Sequence, residues 1–244
     1  MRPVQRGASP QATDFANYAE AKPVLVARLG CYCSYCERRV ATNLAVEHIQ
    51  PKALPAYAAL AGRWSNFLLS CVNCNSTKTN KNVALAGLML PDRDNCFAAF
   101  DYFADGRVKP AVVLTAASRA LAARALALVG LDKAISVMHD ENGKQVALDR
   151  VSQRMEVWGV ALEAKADVEG HPLNQALRRA AIRTAQGYGF FSIWMAVFAG
   201  DADMRNLLID GFDGTRGSGC FNPITTTPVS PAPNPDALAD GSKL

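Results

Sequence analysis

Cys33/Cys36 and Cys71/Cys74 form two Cys-x-x-Cys pairs that bracket a Glu47-His48 dyad and Asn66, and the second pair runs directly into Asn75 and Lys78. Four thiols at this spacing are expected to hold one tetrahedral Zn²⁺, each knuckle turn delivering two sulfurs at about 2.3 Å from the ion. The carboxylate, imidazole and carboxamide between and beside them are hard or borderline ligands, suited to a catalytic Mg²⁺ or Mn²⁺. Two metal chemistries are thus interleaved within residues 31–82: one ion to fold the segment, another to work in it. Cys31 is the one rival zinc ligand, but a Cys31/Cys33 pair leaves a single intervening residue and would strain the turn.

The same stretch carries charge. Arg38, Arg39, Lys52, Arg63, Lys78 and Lys81 stand there against Glu37 and Glu47, which accounts for the whole net charge of +4. A polyanion is the expected partner, with Lys78, Lys81, Lys52, Arg38 and Arg39 as candidate phosphate contacts. Seven cysteines, an odd number with four in paired motifs, favour metal ligation in a reducing compartment over a disulfide framework. No run of about 18 apolar residues occurs, and the N-terminus lacks the apolar segment of a signal peptide. The expectation is a soluble cytoplasmic protein without a membrane span. At 244 residues and 50% hydrophobic, it has room for one small domain and one larger one.

The elements that must position these residues read as follows. Residues 1–13 are polar and contain Gly and Pro, which predicts a loose arm. Apolar positions from Asp14 to Leu29 predict helix, with Pro23 breaking it or opening a second one and Gly30 ending it. Leu44, Val46 and His48 alternate with Ala45 and Glu47, a strand pattern that sends Glu47 and His48 to opposite faces. Trp64 to Leu69 reads as the returning strand of a hairpin with a long loop. Asn73 to Asn82 reads as a helix or a loop, with Asn75 or Ser76 as a cap.

The order Cys-x-x-Cys, Glu47-His48-Ile49-x-Pro51-Lys52, Trp64-x-Asn66 and Ser70-Cys-x-x-Cys-Asn75-x-x-Lys78 resembles the HNH endonuclease family, whose core is a ββα-metal finger. The wording around the cysteines and Glu47-His48 is similar to the bacterial antiphage subgroup that includes the HNH subunit of Septu-type and retron-linked systems. The resemblance covers about residues 30–82 and continues more loosely through Phe100–Val108. It implies that His48 is the general base that activates water. Glu47 is then the acidic ligand of the catalytic cation, and Asn75 completes that cation's site from the helix. Asn66 holds the loop and orients the base. It further implies hydrolysis of phosphodiester bonds in DNA or RNA with 5′-phosphate and 3′-hydroxyl ends. An ATPase partner is implied too, since the chain has no Walker A loop. Glu47 stands where aspartate is commoner and Asn75 where many members have histidine, an oxygen pair that favours a hard, loosely held cation. The competing readings are a zinc-stabilised nucleic-acid-binding module and a nuclease subunit silent without its partner.

The second half is helical text. Phe100 to Arg107 predicts a short hairpin closed by a type I′ turn at Asp105-Gly106. Residues 115–129 predict a helix capped by Thr115 and stopped by Gly130, followed by helical stretches at 131–139, 146–167, 172–186, 190–199 and 201–210. Arg119, Arg124, Arg150, Arg154, Arg178, Arg179 and Arg183 could line a nucleic-acid groove, but the acids interspersed among them favour solvated helix faces. His139 and His171 have no recognisable partners, and Phe190 to Phe198 is too short to span a bilayer. The sequence therefore predicts an α+β protein: arm and helix over 1–30, a zinc-supported HNH module over 31–95, a mainly helical domain over 96–222 entered by the hairpin, and a flexible Pro-rich tail over 223–244.

Overall fold

The computed structural model describes residues 1–135, 138–146 and 149–244, and it is α+β. A short 3₁₀ turn leads into α1 (Lys22–Leu29), with Pro23 in its first turn, where its missing N–H costs nothing. Gly30 ends the helix, as expected. β1 (Ala45–His48) and β2 (Phe67–Ser70) pair antiparallel, Glu47 opposite Leu68 and His48 opposite Phe67. α2 (Val72–Lys78) follows β2 directly, so Asn75 lies inside the helix rather than at its cap.

The hairpin β3 (Phe100–Tyr102) and β4 (Val108–Pro110) leads to α3 (Ala116–Val129), with Thr115 accepting from the Ser118 N–H and Gly130 left-handed at the stop. Its turn is not type I′, because only Gly106 has positive φ. Gly106 N donates to Phe103 O and Phe103 N to Arg107 O, a type I turn closed by a left-handed glycine. The helix expected at 131–139 does not form. Leu131 and Asp132 turn, and β5 (Met138–His139) pairs with β6 (Gln145–Val146) around Asn142-Gly143, repeating the same turn; residues 136 and 137 lie outside the described residues. α4 (Arg150–Gly170), α5 (Gln175–Tyr188), α6 (Phe191–Val197) and α7 (Ala202–Gly211) complete the helical half.

Among the described residues, two hydrophobic clusters hold the molecule. The first runs from the N-terminal segment through β1, β2, β3 and β4 to α3 and Leu131, beyond the domain limit expected at residue 95. The second gathers α4 to α7 around Phe191, Trp194 and Phe212. They meet at the first knuckle, where Phe190 N donates to Glu37 O and the buried Glu37 carboxylate accepts from Ser192 N at 2.7 Å and Ser192 Oγ at 2.6 Å. Gly189, at φ +81°, allows this approach: a Cβ there would sit 2.4 Å from Glu37 O.

Neither terminus is loose. Arg2 and Arg6 are buried, Arg2 donating to Leu29 O at 2.6 Å and Arg6 pairing with Asp92 at 3.0 Å and donating to Phe67 O. Asp236 accepts from the Arg6 and Gly7 N–H groups, and Lys243 pairs with Asp94 at 2.9 Å. These contacts are made by charged side chains and backbone, which is why low apolar content misread both segments. No helix among the described residues is long and apolar enough to cross a membrane.

Candidate nuclease site

The first Cys pair reaches β2 through Ser34, whose N–H donates to Leu69 O at 2.8 Å and whose hydroxyl accepts from Leu69 N. β2 then delivers Cys71, and the first turn of α2 delivers Cys74. The four sulfurs of Cys33, Cys36, Cys71 and Cys74 lie within 4.8 Å of one another and are buried, with Cys36 and Cys71 3.7 Å apart. The edge of a tetrahedron with metal–sulfur bonds of about 2.3 Å is about 3.8 Å, so the set fits Zn²⁺. Cys71, bonded by Cys33, Cys36 and Cys74, is held far below the usual thiol value, while those bonds push Cys36 and Cys74 well above it.

Arginines surround the cluster. Arg150 donates from Nη1 to Cys74 Sγ at 3.1 Å and to Val129 O, while its Nη2 reaches Gly130 O. Arg38 bonds Asn73 Oδ1 at 2.8 Å and Gln153 at 3.3 Å. Against the cost of partial burial, the sulfurs of Cys36 and Cys71 hold its guanidinium above its usual value. Arg38 is thus half-buried beside the thiol cluster. Arg154, buried, donates to Gly106 O at 2.5 Å, so neither it nor Arg150 belongs to a solvated helix face.

A cleft of about 210 Å³ at the end of the β1–β2 ribbon is lined by Glu47, His48, Asn75, Lys78, Lys52 and Tyr18, among others. Neighbouring strand residues share it because the ribbon is two strands wide: Glu47 meets α2 through Lys78, and His48 lies edge-on to Tyr18 and Phe67. His48 Nε2 is 2.9 Å from Ala61 O. A carbonyl can only accept, so Nε2 carries the proton and Nδ1 keeps its lone pair. Burial, with the charges of Lys52 and Lys78, holds His48 below its ordinary value despite that bond. At neutral pH it is an uncharged base.

Asn66 fixes the loop that supplies Ala61. Its Oδ1 accepts from Gln50 N at 2.8 Å, and its Nδ2 donates to Gln50 O at 2.9 Å and Leu60 O at 3.3 Å. Asn66 is thus buried behind the cleft. Glu47 is 3% exposed and its Oε1 lies 2.7 Å from Lys78 Nζ, an ion pair not angled as a hydrogen bond. Burial raises the Glu47 carboxyl above the usual carboxylate range, against the pull of Lys78. The Asn75 carboxamide, half-buried, makes no hydrogen bond to a described residue. The Glu47 carboxylate, its Oε1 held in an ion pair by Lys78, and the Asn75 carboxamide are oxygen groups in one cleft of the kind that suits a hard divalent cation.

The basic residues separate. Lys52 is exposed at the cleft mouth, its ammonium 3.7 Å from the Tyr18 ring centre. Arg39 is exposed beside Tyr188, to whose carbonyl its own N–H donates. Lys81 donates to Leu128 O and borders a different groove, beside α3. Lys78, at 1% exposure, cannot be a surface phosphate contact: its ammonium is taken by Glu47 and by His48 O at 2.8 Å. Sequence reasoning missed Ala61, Tyr18 and Arg150. Ala61 acts through its backbone, Tyr18 reads as one more apolar helix position, and Arg150 has the same spacing as the exposed arginines.

Residues 33–81 match the family model described as HNH endonuclease, a span that includes both Cys pairs, Glu47, His48, Asn66, Asn75 and Lys78. No curated protein matches the chain. The match spans both Cys pairs and, Tyr18 apart, the residues lining the cleft, so this segment is similar to HNH endonucleases.

Proposed function

We propose that this protein is a metal-dependent HNH endonuclease that hydrolyses phosphodiester bonds, with DNA as the favoured substrate and RNA as the alternative. The observation that carries the reading is the His48–Ala61 hydrogen bond, which assigns the tautomer and leaves Nδ1 as the basic atom of a neutral ring lining the cleft. His48 takes the proton of the attacking water at Nδ1. Asn66, by bonding both ends of the Gln50–Leu60 loop, holds Ala61 and hence the ring in register. Lys52 at the mouth offers its ammonium to the incoming phosphate backbone. Glu47 and Asn75 hold the working cation, Mg²⁺ or Mn²⁺, which when bound would stabilise charge on the phosphate and on the leaving 3′-oxygen. The four cysteines hold the structural zinc that keeps β2 and α2 in place.

The subgroup resemblance extends this reading to antiphage defence beside an ATPase partner subunit, which co-purification from cells that carry the neighbouring genes tests. The activity itself is tested by incubating the purified protein with plasmid DNA and with total RNA, with Mg²⁺, Mn²⁺ or EDTA, alongside His48→Ala. Cleavage that needs both the divalent ion and His48 supports the proposal. The Glu47–Lys78 ion pair favours the second reading, a zinc-stabilised binding module, and nucleic acid that is bound but uncut under every metal condition, with the partner subunit present as well as absent, would establish it.

A further inference from the structure

Lys78 follows Cys74 by four residues and Asn75 by three, so the helical turn that anchors the thiol cluster also aims this side chain at β1. A buried ammonium is costly to desolvate unless it is paired, and here both of its contacts belong to the dyad: the Glu47 carboxylate at 2.7 Å and the His48 carbonyl at 2.8 Å. The charged groups lining the cleft are Glu47, Lys52 and Lys78, with His48 and Asn75 neutral. The carboxylate is therefore already compensated, and the cleft as a whole carries one positive charge in excess. A divalent cation entering alone adds two more. A phosphodiester backbone brings the negative charge that is missing.

We propose that Lys78 is a built-in counter-ion that makes loading of the working cation depend on substrate: it occupies Glu47 while nucleic acid is absent and yields when a phosphate enters. The inference rests on the proposed function, which assigns Glu47 to the cation. Lys78 is a positioning residue, acting through Glu47 and through the His48 carbonyl.

The test is Mn²⁺ binding, read by electron paramagnetic resonance on the full zinc-loaded chain without nucleic acid, in mildly alkaline buffer that keeps Glu47 ionised. Removing one charge within a few ångströms of the cation should tighten Mn²⁺ binding roughly tenfold or more in Lys78→Met. Lys78→Arg, which keeps the charge, should bind as weakly as wild type. Adding Glu47→Gln to Lys78→Met should abolish the gain. Turnover of Lys78→Met should fall while its half-saturating Mn²⁺ concentration also falls, a split that a merely structural lysine would not produce. Equal Mn²⁺ affinity in wild type and Lys78→Met overturns the proposal. Should Lys78→Met lose zinc or fail to fold, wild type is titrated with and without a short phosphorothioate duplex. The expected result is about tenfold tightening by the duplex, and tight binding by wild type alone overturns the counter-ion role while leaving the nuclease reading intact. No Mn²⁺ uptake under any condition overturns both.

Discussion

Arg150 opens α4 in the helical half, yet its Nη1 donates to Cys74 Sγ in the HNH module at 3.1 Å across 76 residues of sequence. The same guanidinium satisfies Val129 and Gly130 carbonyls at the end of α3, so one side chain joins the thiol cluster, α3 and α4. A donor aimed at a thiolate lowers the charge that four sulfurs impose on one ion. Arg150→Met should therefore release zinc to a chelator faster than wild type and cost about 1.5–3 kcal/mol of stability, the scale of hydrogen bonds from a charged group. Arg119→Met, which removes only exposed carbonyl contacts to Val112 and Leu114, should cost under about 0.5 kcal/mol. Zinc-release kinetics and melting of both variants check the contrast.

The zinc itself should be indispensable. Structural zinc contributes on the order of 10–16 kcal/mol in finger peptides, comparable to the stability of a whole domain. Cys71 joins β2 to α2, so Cys71→Ser should unfold the cleft along with the cluster. Metal analysis of protein purified without chelator should find about one equivalent of zinc. Less than about half an equivalent, or unchanged melting of Cys71→Ser, would contradict the Cys₄ assignment.

As the proposed general base, His48 should set the pH dependence. Its folded value lies below the ordinary 6.5 because of burial, so the neutral, base-competent ring persists below that pH. The acid limb of the rate profile should accordingly fall below 6.5, with activity lost as pH drops through the folded value. The stability effect has a matching sign. An unfolded histidine takes up its proton first, so stability contributed by the neutral ring is full above 6.5 and declines as pH falls toward the folded value. His48→Ala should lower the rate about 10²–10⁴-fold with zinc content unchanged, and its melting temperature should be less sensitive to acid.

Much of the HNH module was legible because its signals are local. Cysteine spacing brought four sulfurs together, alternation marked β1, and Thr115 and Gly130 bounded α3 through backbone needs that single residues declare. What escaped depends on long-range burial. Lys78, Arg2, Arg6, Arg150 and Arg154 are charged residues whose partners lie in distant segments, so composition placed them on the surface. The Asn142-Gly143 turn falls in the gap between the helical stretches expected at 131–139 and 146–167, and the two-residue strands beside it are too short to show an alternation. Asp236 and Lys243 show the same failure at the C-terminal end, where polar contacts order a segment with little apolar content.

Asn66 separates holding from ligation. It makes three bonds to the Gln50–Leu60 loop and lies buried behind His48, so Asn66→Ala should lower turnover by displacing Ala61 and cost about 1–3 kcal/mol for each buried partner left unsatisfied. The metal concentration giving half-maximal cleavage should stay as in wild type. A large rise in that concentration would mean that Asn66 contributes to the cation site after all.

The two metals should come apart under chelation. Zinc held by four buried thiols exchanges slowly and tightly, whereas Glu47 and Asn75 offer one charged and one neutral oxygen, leaving the other positions of a hard cation to water and phosphate. Mild EDTA should stop cleavage while zinc stays bound and melting is unchanged, and added Mg²⁺ or Mn²⁺ should restore the rate. Glu47→Ala removes the only acidic side chain that lines the cleft among the described residues and should not be rescued at moderate metal concentration. It also strands Lys78, whose buried ammonium keeps only the His48 carbonyl, so a loss of about 3–5 kcal/mol in stability should accompany the loss of activity. Glu47→Gln keeps the shape and an oxygen beside Lys78, and should be equally inactive yet closer to wild type in melting. Full cleavage by EDTA-treated protein without added divalent ion would show that Glu47 and Asn75 hold no catalytic metal, and the binding-module reading would then displace the nuclease.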